Sequence, residues 1–480
     1  MNPHAATAIF VVGILGLFWL DRDNQLRPSK ALWIPVAWLF INSSRPLSLW
    51  LSALGLSHDA PTSTADMYLE GSPIDGSLFT ILLIAGLVAL ATRLQLVVPI
   101  LGRNAPILMY FVYCLLSILW SAFPWVTFKH WNKGIGDVVV ALIVLTDPAP
   151  AAAFRRIFTR VGFVLIPLSV LFSRYLGDLG RNYSFGGVQM YTGVTTQKNS
   201  LGILCLVIGL YFLWSFVAFW RDRKAARREQ HLIAHAVILA MVVYLLWICN
   251  SMTCISCLSM AGGVMVLASR PTVFRRSWLV HFLVAATLCF SSFALFFDSG
   301  GDLLQGVGRN PSLTGRTAIW SAVIPMVKTP LVGTGYESFW LGDRLQEFWS
   351  IQGGAFKMLN EAHNGYIEIY LNLGWIGIGL LATVIIMGYR KIIVMLRNEP
   401  QAASLAIAFF VAEIIYNFTE AGFRMMGPLW ILFLLVILGM PKVAVSEAEH
   451  SLSPEHARIP ANVEPRAELV SDHHLHWSDI

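Results

Sequence analysis

The chain has 480 residues, of which 56% are hydrophobic and only 13% are charged, and its mean hydropathy is +0.63. A soluble domain of this length does not hold so much apolar surface, so the composition predicts a polytopic membrane protein whose solvent is the lipid bilayer. The formal net charge of +6 requires no acidic partner beyond lipid headgroups. We therefore expect no nucleic-acid partner.

Apolar runs recur from one end of the chain to the other, with short polar breaks between them. A helix needs about 20 mainly apolar residues to cross a bilayer, and the runs predict an all-α membrane protein with about 12 or 13 transmembrane helices. The opening run is kept as a helix, because it lacks the basic start and the small-residue cleavage site of a signal peptide. The predicted spans are 4–20, 31–48, 78–93, 106–121, 133–148, 159–174, 199–219, 232–250, 254–269, 279–297, 373–389, 402–417 and 427–440.

The loops between these spans fall into two alternating sets. One set is short and rich in Lys and Arg, which predicts the cytoplasmic side, and the other set is longer and carries fewer positive charges. The second set then faces the exterior or periplasm, with the N-terminus outside and the tail inside. The predicted outer loops are around 43–77, 122–132, 175–198, 298–372 and 418–426.

Four regions follow from this topology. Residues 1–297 form the first part of the transmembrane bundle, 298–372 form a large periplasmic catalytic loop, and 373–440 form the C-terminal helices. The tail, 441–480, mixes Pro, Glu, Ser and His without apolar periodicity. Such a segment cannot bury enough surface to fold, so we expect a disordered cytoplasmic tail.

The short motifs that suggest metal or redox chemistry are weak. Cys254 and Cys257 form a single C-x-x-C in an apolar run, where packing in the core is the better interpretation. Asp21 and Asp23 form a D-x-D in a charged turn on the predicted cytoplasmic side. We expect no metal and no cofactor.

The outer loop at 298–372 holds the best candidates for catalysis. His363 is a natural general base or proton carrier, because the unperturbed pKa of imidazole lies near neutrality; a hydrogen-bonded cap histidine is the alternative. Arg309 and Arg316 lie upstream in the same loop. Converging guanidinium groups bind phosphate. The alternative is that these basic side chains at helix ends only snorkel to the membrane interface. Further cations at the outer ends of spans are Arg45, Lys129, Arg174, Arg181, Lys198 and Arg424.

Three carboxylates complete the candidate set. Asp137 and Glu413 lie within predicted spans, where acids are costly enough to be functional hypotheses, and structural pairing is the interpretation we favour for Asp137. Glu420, in NFTEAGFR, stands at the outer end of a helix. It can pair with an arginine, orient the histidine or serve stability alone.

The segments GRNPSLTGRTAIW, TPLVGTGYESFW, HNGYIEIYLNLGWIG and YNFTEAGF occur in this order. As an ordered set they resemble the O-antigen ligase and polymerase family, and within it the exopolysaccharide polymerases of the succinoglycan type. The resemblance implies a metal-independent membrane glycosyltransferase of the GT-C type with an undecaprenyl-diphosphate-linked oligosaccharide as donor. Carried over by position, it implies that Arg316 binds the diphosphate and that His363 is the catalytic histidine.

One position departs from the family pattern. In YTGVTTQKNSLG, Thr192 stands where the family has an arginine, whereas Lys198 and Asn199 are retained. Arg181 or Lys198 can take the place of that arginine. The residues predicted to bind substrate or diphosphate are Arg181, Lys198, Asn199, Arg309, Asn364, Glu420 and Arg424.

The chemistry also suits these residues without the family name. His363 can take the proton of an acceptor hydroxyl, while Arg316 and a second cation hold the departing diphosphate. The reaction should invert the anomeric centre, because no carboxylate is placed as a nucleophile.

The predicted function is polymerisation, or transfer, of lipid-linked oligosaccharide repeats at the outer face of the bacterial inner membrane in exopolysaccharide biosynthesis. Two alternatives remain: an O-antigen ligase that transfers the glycan to lipid A-core, and a lipid-glycan flippase. Expected partners are the lipid-linked donor, the growing polysaccharide or lipid A-core acceptor, and chain-length regulator and export proteins.

Overall fold

A computed structural model describes residues 2–22, 27–56, 72–183, 187–296, 313–351 and 359–441. Within these ranges it leaves the side chains of 294–296 and 313–315 undescribed. The predictions made for Arg309 and for the tail from residue 442 onward lie outside the described residues.

The described chain is almost entirely helical, with one small two-stranded antiparallel sheet in which Asn182 pairs with Met190. Many helices start at a proline, whose missing N–H costs nothing in the first turn. The elements of the first half are α1 (Pro3–Leu20), α2 (Trp33–Asn42), α3 (Leu47–Ala53), α4 (Pro73–Ala91), α5 (Leu94–Gly102), α6 (Ala105–Leu116), α7 (Pro124–Leu145), α8 (Pro150–Tyr175), α9 (Gly177–Gly180), β1 (Arg181–Tyr183) and β2 (Gln189–Tyr191). Those of the second half are α10 (Lys198–Arg221), α11 (Arg228–Cys249), α12 (Met252–Ala268), α13 (Pro271–Phe274), α14 (Ser277–Phe296), α15 (Leu313–Val323), α16 (Gly342–Ser350), α17 (Gly365–Asn398), α18 (Pro400–Tyr416) and α19 (Pro428–Leu438).

Six of the described helices are long and apolar enough to cross a membrane, and a seventh crossing results if α5 and the helix that begins at Ala105, bent by 90°, are one span. The six are α1, α4, α8, α10, α11 and α17. Several shorter apolar helices, α18 and α19 among them, fall below the length criterion. The predicted class, an all-α polytopic membrane protein, is confirmed. Each predicted span overlaps a helix, while the number of crossings stays a prediction.

The helices differ in how deeply they are packed. In α18 and α19 nearly every side chain is buried, and α18 packs against α12, α17 and α19. In α1 and α4, by contrast, only 11% and 17% of the membrane-length window is buried. A helix that is apolar on every side, and of which other helices cover only a small part, requires lipid around the rest of its surface. The core therefore lies around α18, and α1 and α4 form part of the lipid-facing rim.

Some segments predicted as outer loops are partly helical in the structure. The outer loop at 122–132 is helical from Pro124 onward, so Lys129 and His130 lie on α7 rather than in a loop. Likewise, α17 begins at Gly365, within the predicted loop 298–372. Polar residues at both helix ends led the hydropathy pattern to place the boundaries too far inward.

A sharp kink divides α17 at Gly374, whose backbone is left-handed (φ 63°). A loop covers this break: the amides of Trp375 and Ile376 donate to the carbonyls of Pro330 and Leu331 at 3.0 and 3.1 Å. A Cβ at Gly374 would lie 2.4 Å from the backbone of Leu331, so the contact requires glycine. The loop thus satisfies backbone groups that the kink releases.

A buried polar cluster joins three helices. Asp21 follows the last residue of α1. Its Oδ1 lies 3.1 Å from the guanidinium of Arg155 on α8 and 2.7 and 3.2 Å from ring nitrogens of His231 and His235 on α11. Burial alone would raise the pKa of Asp21, but Arg155 and the two rings outweigh burial and hold it below its usual range. The arginine matches the charge of the carboxylate, and we interpret the cluster as a tie between helices.

The thiols of Cys254 and Cys257 are free and fully buried in α12, which confirms the prediction of core packing.

Candidate active site

The carboxylate of Glu420 brings together three residues predicted from sequence. Its Oε1 accepts from the guanidinium of Arg316 at 3.3 Å and from the amide of Asn199 at 3.2 Å. Its Oε2 lies 3.2 Å from Nδ1 of His363. These four residues come from α15, from the start of α10, from the segment before α17 and from the segment after α18. A single buried carboxylate therefore organises groups that are up to 221 positions apart.

His363 sits in a strained turn immediately before α17. Its backbone is left-handed (φ 49°), a conformation that is uncommon outside glycine and that is often found at functional sites. Asn364 caps α17 by accepting from the amides of Tyr366 and Ile367, each at 3.0 Å. A Cβ at Gly365 would lie 1.7 Å from the side chain of Asn417, so close packing requires glycine after Asn364.

Arg316 and His363 are held relative to each other by Trp320. Arg316 and Trp320 are one turn apart on α15, and residues four apart share a helix face. The indole N–H of Trp320 donates to the carbonyl of Ala362 at 2.8 Å, next to the histidine. Ala362 in turn donates its amide to Glu368, one turn inside α17. This chain of contacts presents Arg316 toward Glu420.

The segment that carries Glu420, residues 417–427, is irregular but firmly held. The side chain of Asn417 accepts from the amides of Gly422 and Phe423, each at 2.8 Å. Asp137 of α7, which is fully buried, accepts from the amide of Met426 at 2.7 Å and from the indole of Trp38 at 2.8 Å. The structural pairing predicted for Asp137 is thus observed, and it anchors the far end of this segment.

Charges of opposite sign alternate through the cluster. Arg424 lies 3.2 Å from Glu337 and 3.7 Å from Glu361, and Glu361 lies 2.9 Å from Nδ1 of His363. The series then continues through Glu420 to Arg316. We call these six residues, Glu337, Arg424, Glu361, His363, Glu420 and Arg316, the alternating cluster. Their side chains are between 9% and 33% exposed, so the cluster is only partly buried.

Two carboxylates on one ring nitrogen change the ionisation of His363. Burial lowers the pKa of the ring, but Glu361 and Glu420 more than compensate and raise it to about 10. The same contacts, with Arg424 and Arg316, hold the pKa of Glu361 below its usual value against the effect of burial. The pKa of Glu337 is raised, because the effect of burial is larger than the lowering by Arg424. The resting ring is therefore protonated at neutral pH.

The donor atoms of Glu361, His363 and Glu420 lie within 4.8 Å of one another, a spacing that a divalent cation also accepts. The guanidinium groups of Arg316 and Arg424 already contact these carboxylates. Because the charges are matched by the arginines and the ring, we assign no metal to the cluster.

Other predicted residues lie apart from Glu420. Arg181 donates to the carbonyls of Ser173 and Arg174 at 3.0 and 3.3 Å, so its guanidinium supports the local backbone. Lys198 is the first residue of α10, beside Asn199. Arg424 reaches the cluster through Glu337 and Glu361, and Asn364 acts as a helix cap. Arg309 lies outside the described residues.

Sequence reasoning missed Glu337 and Glu361. Glu361 stands two residues before His363 in EAHN, a signal that was available but that spacing alone does not distinguish from a solvated acid. Glu337 gives no such signal, because its contact with Arg424 joins positions 87 residues apart. Its left-handed backbone (φ 52°) becomes visible only in the structure.

Fold and site together define a polytopic membrane protein whose helix ends enclose a partly exposed set of alternating charges. The sequence model of the O-antigen ligase family matches residues 236–382. This stretch of the chain is thus similar to the O-antigen ligase family, and the predicted resemblance is confirmed. The matched stretch includes Arg316, Glu361 and His363, and it ends before Glu420.

Two curated relatives agree with this family. The "Exopolysaccharide production protein ExoQ" of Rhizobium meliloti is 27% identical over 334 residues, which are 66% of this chain and 72% of the relative. The "Putative polysaccharide ligase" of Rickettsia bellii is 24% identical over 218 residues, 44% of this chain and 53% of the relative. Both names refer to a polysaccharide.

Proposed function

We propose that the protein is a glycosyltransferase that polymerises undecaprenyl-diphosphate-linked oligosaccharide repeats in exopolysaccharide biosynthesis, at the periplasmic face of the inner membrane. The observation that carries the proposal is the convergence of Arg316, His363 and Asn199 on Glu420. This convergence supports a role for Arg316 as the cation that binds the diphosphate, next to a ring that can exchange a proton. The similarity to an exopolysaccharide production protein favours polymerisation.

In the proposed reaction, an acceptor hydroxyl oxygen attacks the anomeric carbon of the donor. The new carbon–oxygen bond forms as the bond between that carbon and the diphosphate oxygen breaks. Arg316 stabilises the departing negative charge. The ring of His363 first loses its Nε2 proton to solvent, and the neutral ring then takes the hydroxyl proton on Nε2. Both carboxylates contact Nδ1, so Nε2 is the nitrogen left for this step. Attack from the face opposite the diphosphate inverts the anomeric centre.

A ligase is the second candidate. The family description is that of an O-antigen ligase, and one relative carries the word ligase in its name. A ligase would use the same donor and the same residues but would transfer the finished glycan to lipid A-core. The two functions differ in the acceptor and therefore in the product.

The test is His363→Ala in the source bacterium, with the amount of protein in the membrane measured and with His281→Ala as control. His281 is exposed on α14 and contacts Tyr389, so its variant should behave like the wild type. We expect loss of high-molecular-weight polysaccharide and accumulation of single lipid-linked repeats. Retained polymer would contradict the role of His363. Loss of attachment to lipid A-core with unchanged chain length would identify a ligase.

A further inference from the structure

Glu361, like Glu420, contacts both His363 and an arginine from a different segment of the chain. Its Oε1 lies 2.9 Å from Nδ1 of His363, the shortest ion-pair distance in the cluster, and its Oε2 lies 3.7 Å from Arg424. Its side chain is 27% exposed. A carboxylate in this position is anchored on one side and accessible on the other.

The geometry of the ring follows from these contacts. Because Glu361 and Glu420 both accept from Nδ1, the proton on that nitrogen is fixed, and the ring cannot turn without losing both partners. Nε2 makes no hydrogen bond with any of the described residues. Nδ1 therefore holds the ring in place, and Nε2 is the nitrogen available to exchange a proton with a substrate.

We propose that Glu361 is a positioning residue for His363: it holds Nδ1, keeps Nε2 directed at the substrate and sets the pH at which the ring can accept a proton. This inference rests on the proposed function, in which His363 is the base. It assigns a role to a residue that the family resemblance did not supply.

The remaining charges around His363 do not replace Glu361. Glu420, from the segment after α18, shares its two oxygens among His363, Arg316 and Asn199, so much of its charge is used elsewhere. Arg316 from α15 and Arg424 act on the ring through Glu420 and Glu361. Glu337 lies behind Arg424, and Lys198 lies at the start of α10. Glu361 makes the shorter of the two carboxylate contacts to His363, at 2.9 Å. Its other contact, to Arg424, is longer at 3.7 Å.

An imidazole next to an added negative charge keeps its proton to a higher pH, so removal of the charge of Glu361 has a defined sign. The variant Glu361→Gln retains the size of the side chain and an oxygen acceptor but loses the charge. We expect His363 in this variant to lose its proton about 1 to 3 pH units lower than in the wild type. Glu361→Asp retains a carboxylate and should remain near the wild-type value.

The experiment measures the ring directly in the full-length protein in lipid nanodiscs. Diethyl pyrocarbonate reacts with neutral imidazole, and mass spectrometry of the peptide that contains His363 gives its rate of modification between pH 6 and pH 10.5, normalised to a reference histidine peptide. Glu347→Gln is the matched control, since Glu347 is an exposed acid on α16. Transfer of lipid-linked oligosaccharide is followed over the same pH range.

A midpoint that moves to lower pH in Glu361→Gln but stays in place in Glu347→Gln supports the inference. An unchanged midpoint in Glu361→Gln overturns it. The transfer assay separates this from the proposed function. If the rising limb of the rate moves together with the midpoint, His363 acts as the base. If the midpoint moves while the rate profile does not, Glu361 still sets the ionisation of the ring, and the role of His363 in the proposed function fails.

Discussion

Two polar clusters built from carboxylates, histidines and arginines lie at opposite ends of α10. Asn199, at the first turn of the helix, contacts Glu420 of the alternating cluster, and Phe219, near its last turn, stacks on His231 of the cluster around Asp21. Twenty residues of helix separate these contacts by about 30 Å. The two clusters use the same side-chain types in opposite proportions.

The carboxylate of Asp21 contacts two histidine rings and an arginine. The ring of His363 contacts two carboxylates. The first arrangement fixes an anion, and the second fixes a proton on the ring. The two clusters also differ in access to solvent: the side chains of Asp21, His231 and His235 are 1% to 4% exposed, whereas those of His363 and Glu361 are 23% and 27% exposed. The types of side chain alone do not distinguish a structural tie from a functional site. The ratio of carboxylates to rings and the exposure of the side chains do.

The largest effect should follow from loss of Glu420. In Glu420→Ala, Arg316, Asn199 and His363 lose their common partner, and we expect transfer to fall about 100- to 1000-fold, as when a preorganised group is removed from an active site. Steady-state transfer by purified protein, compared with Glu347→Ala, measures the loss. Activity within a few-fold of the wild type would show that Glu420 serves stability alone.

The corresponding change at the other cluster should affect stability instead. Asp21→Asn removes the carboxylate charge that two buried rings and Arg155 contact. Removal of one partner of a buried pair costs about 3 to 5 kcal/mol of unfolding free energy. We expect a lower thermal midpoint in detergent, with transfer per folded molecule unchanged. Asp343→Asn, at an exposed acid of α16, is the control. Lost activity at an unchanged midpoint would contradict the interpretation of a tie.

A smaller effect should sharpen the boundary of the site. Lys198 and Arg181 are the two candidates to replace the family arginine absent at Thr192, and the contacts of Arg181 with the carbonyls of Ser173 and Arg174 argue for Lys198. We expect Lys198→Ala to raise the KM for the lipid-linked donor about tenfold, the value of one hydrogen bond to a charged group. Arg181→Ala should leave KM unchanged and lower the thermal midpoint. The reverse result would assign the second diphosphate contact to Arg181.

The sequence was sufficient for the class of fold, because apolar runs of membrane length have few other uses. It failed at helix ends. Lys129 and His130 read as a polar loop, yet they are the second turn of α7. Where helices have polar ends, hydropathy reports the apolar middle of a helix and underestimates its length.

For the site, residue types and motif order were enough to select Arg316, His363, Asn199 and Glu420 as candidates. Their convergence on one carboxylate was not predictable, since it depends on how four distant segments pack. The same is true of Asp21: its D-x-D setting carried little weight, and its partners on α8 and α11 lie 134 to 214 positions away. Pairing between distant buried charges leaves no trace in a single sequence.

The contact between the kink of α17 and the loop that contains Gly333 has a practical consequence for topology mapping. Reporter domains are commonly inserted into predicted outer loops, and residues 329–335 look suitable from hydropathy. A Cβ at Gly333 would already lie 2.5 Å from the backbone of Asn372. An inserted reporter would separate the loop from the helix break and report the sidedness of a disrupted protein. Gly55 has a left-handed backbone, and, its chain neighbours aside, none of the described residues would lie within 4 Å of a Cβ there. It is therefore a better insertion point on the same predicted side.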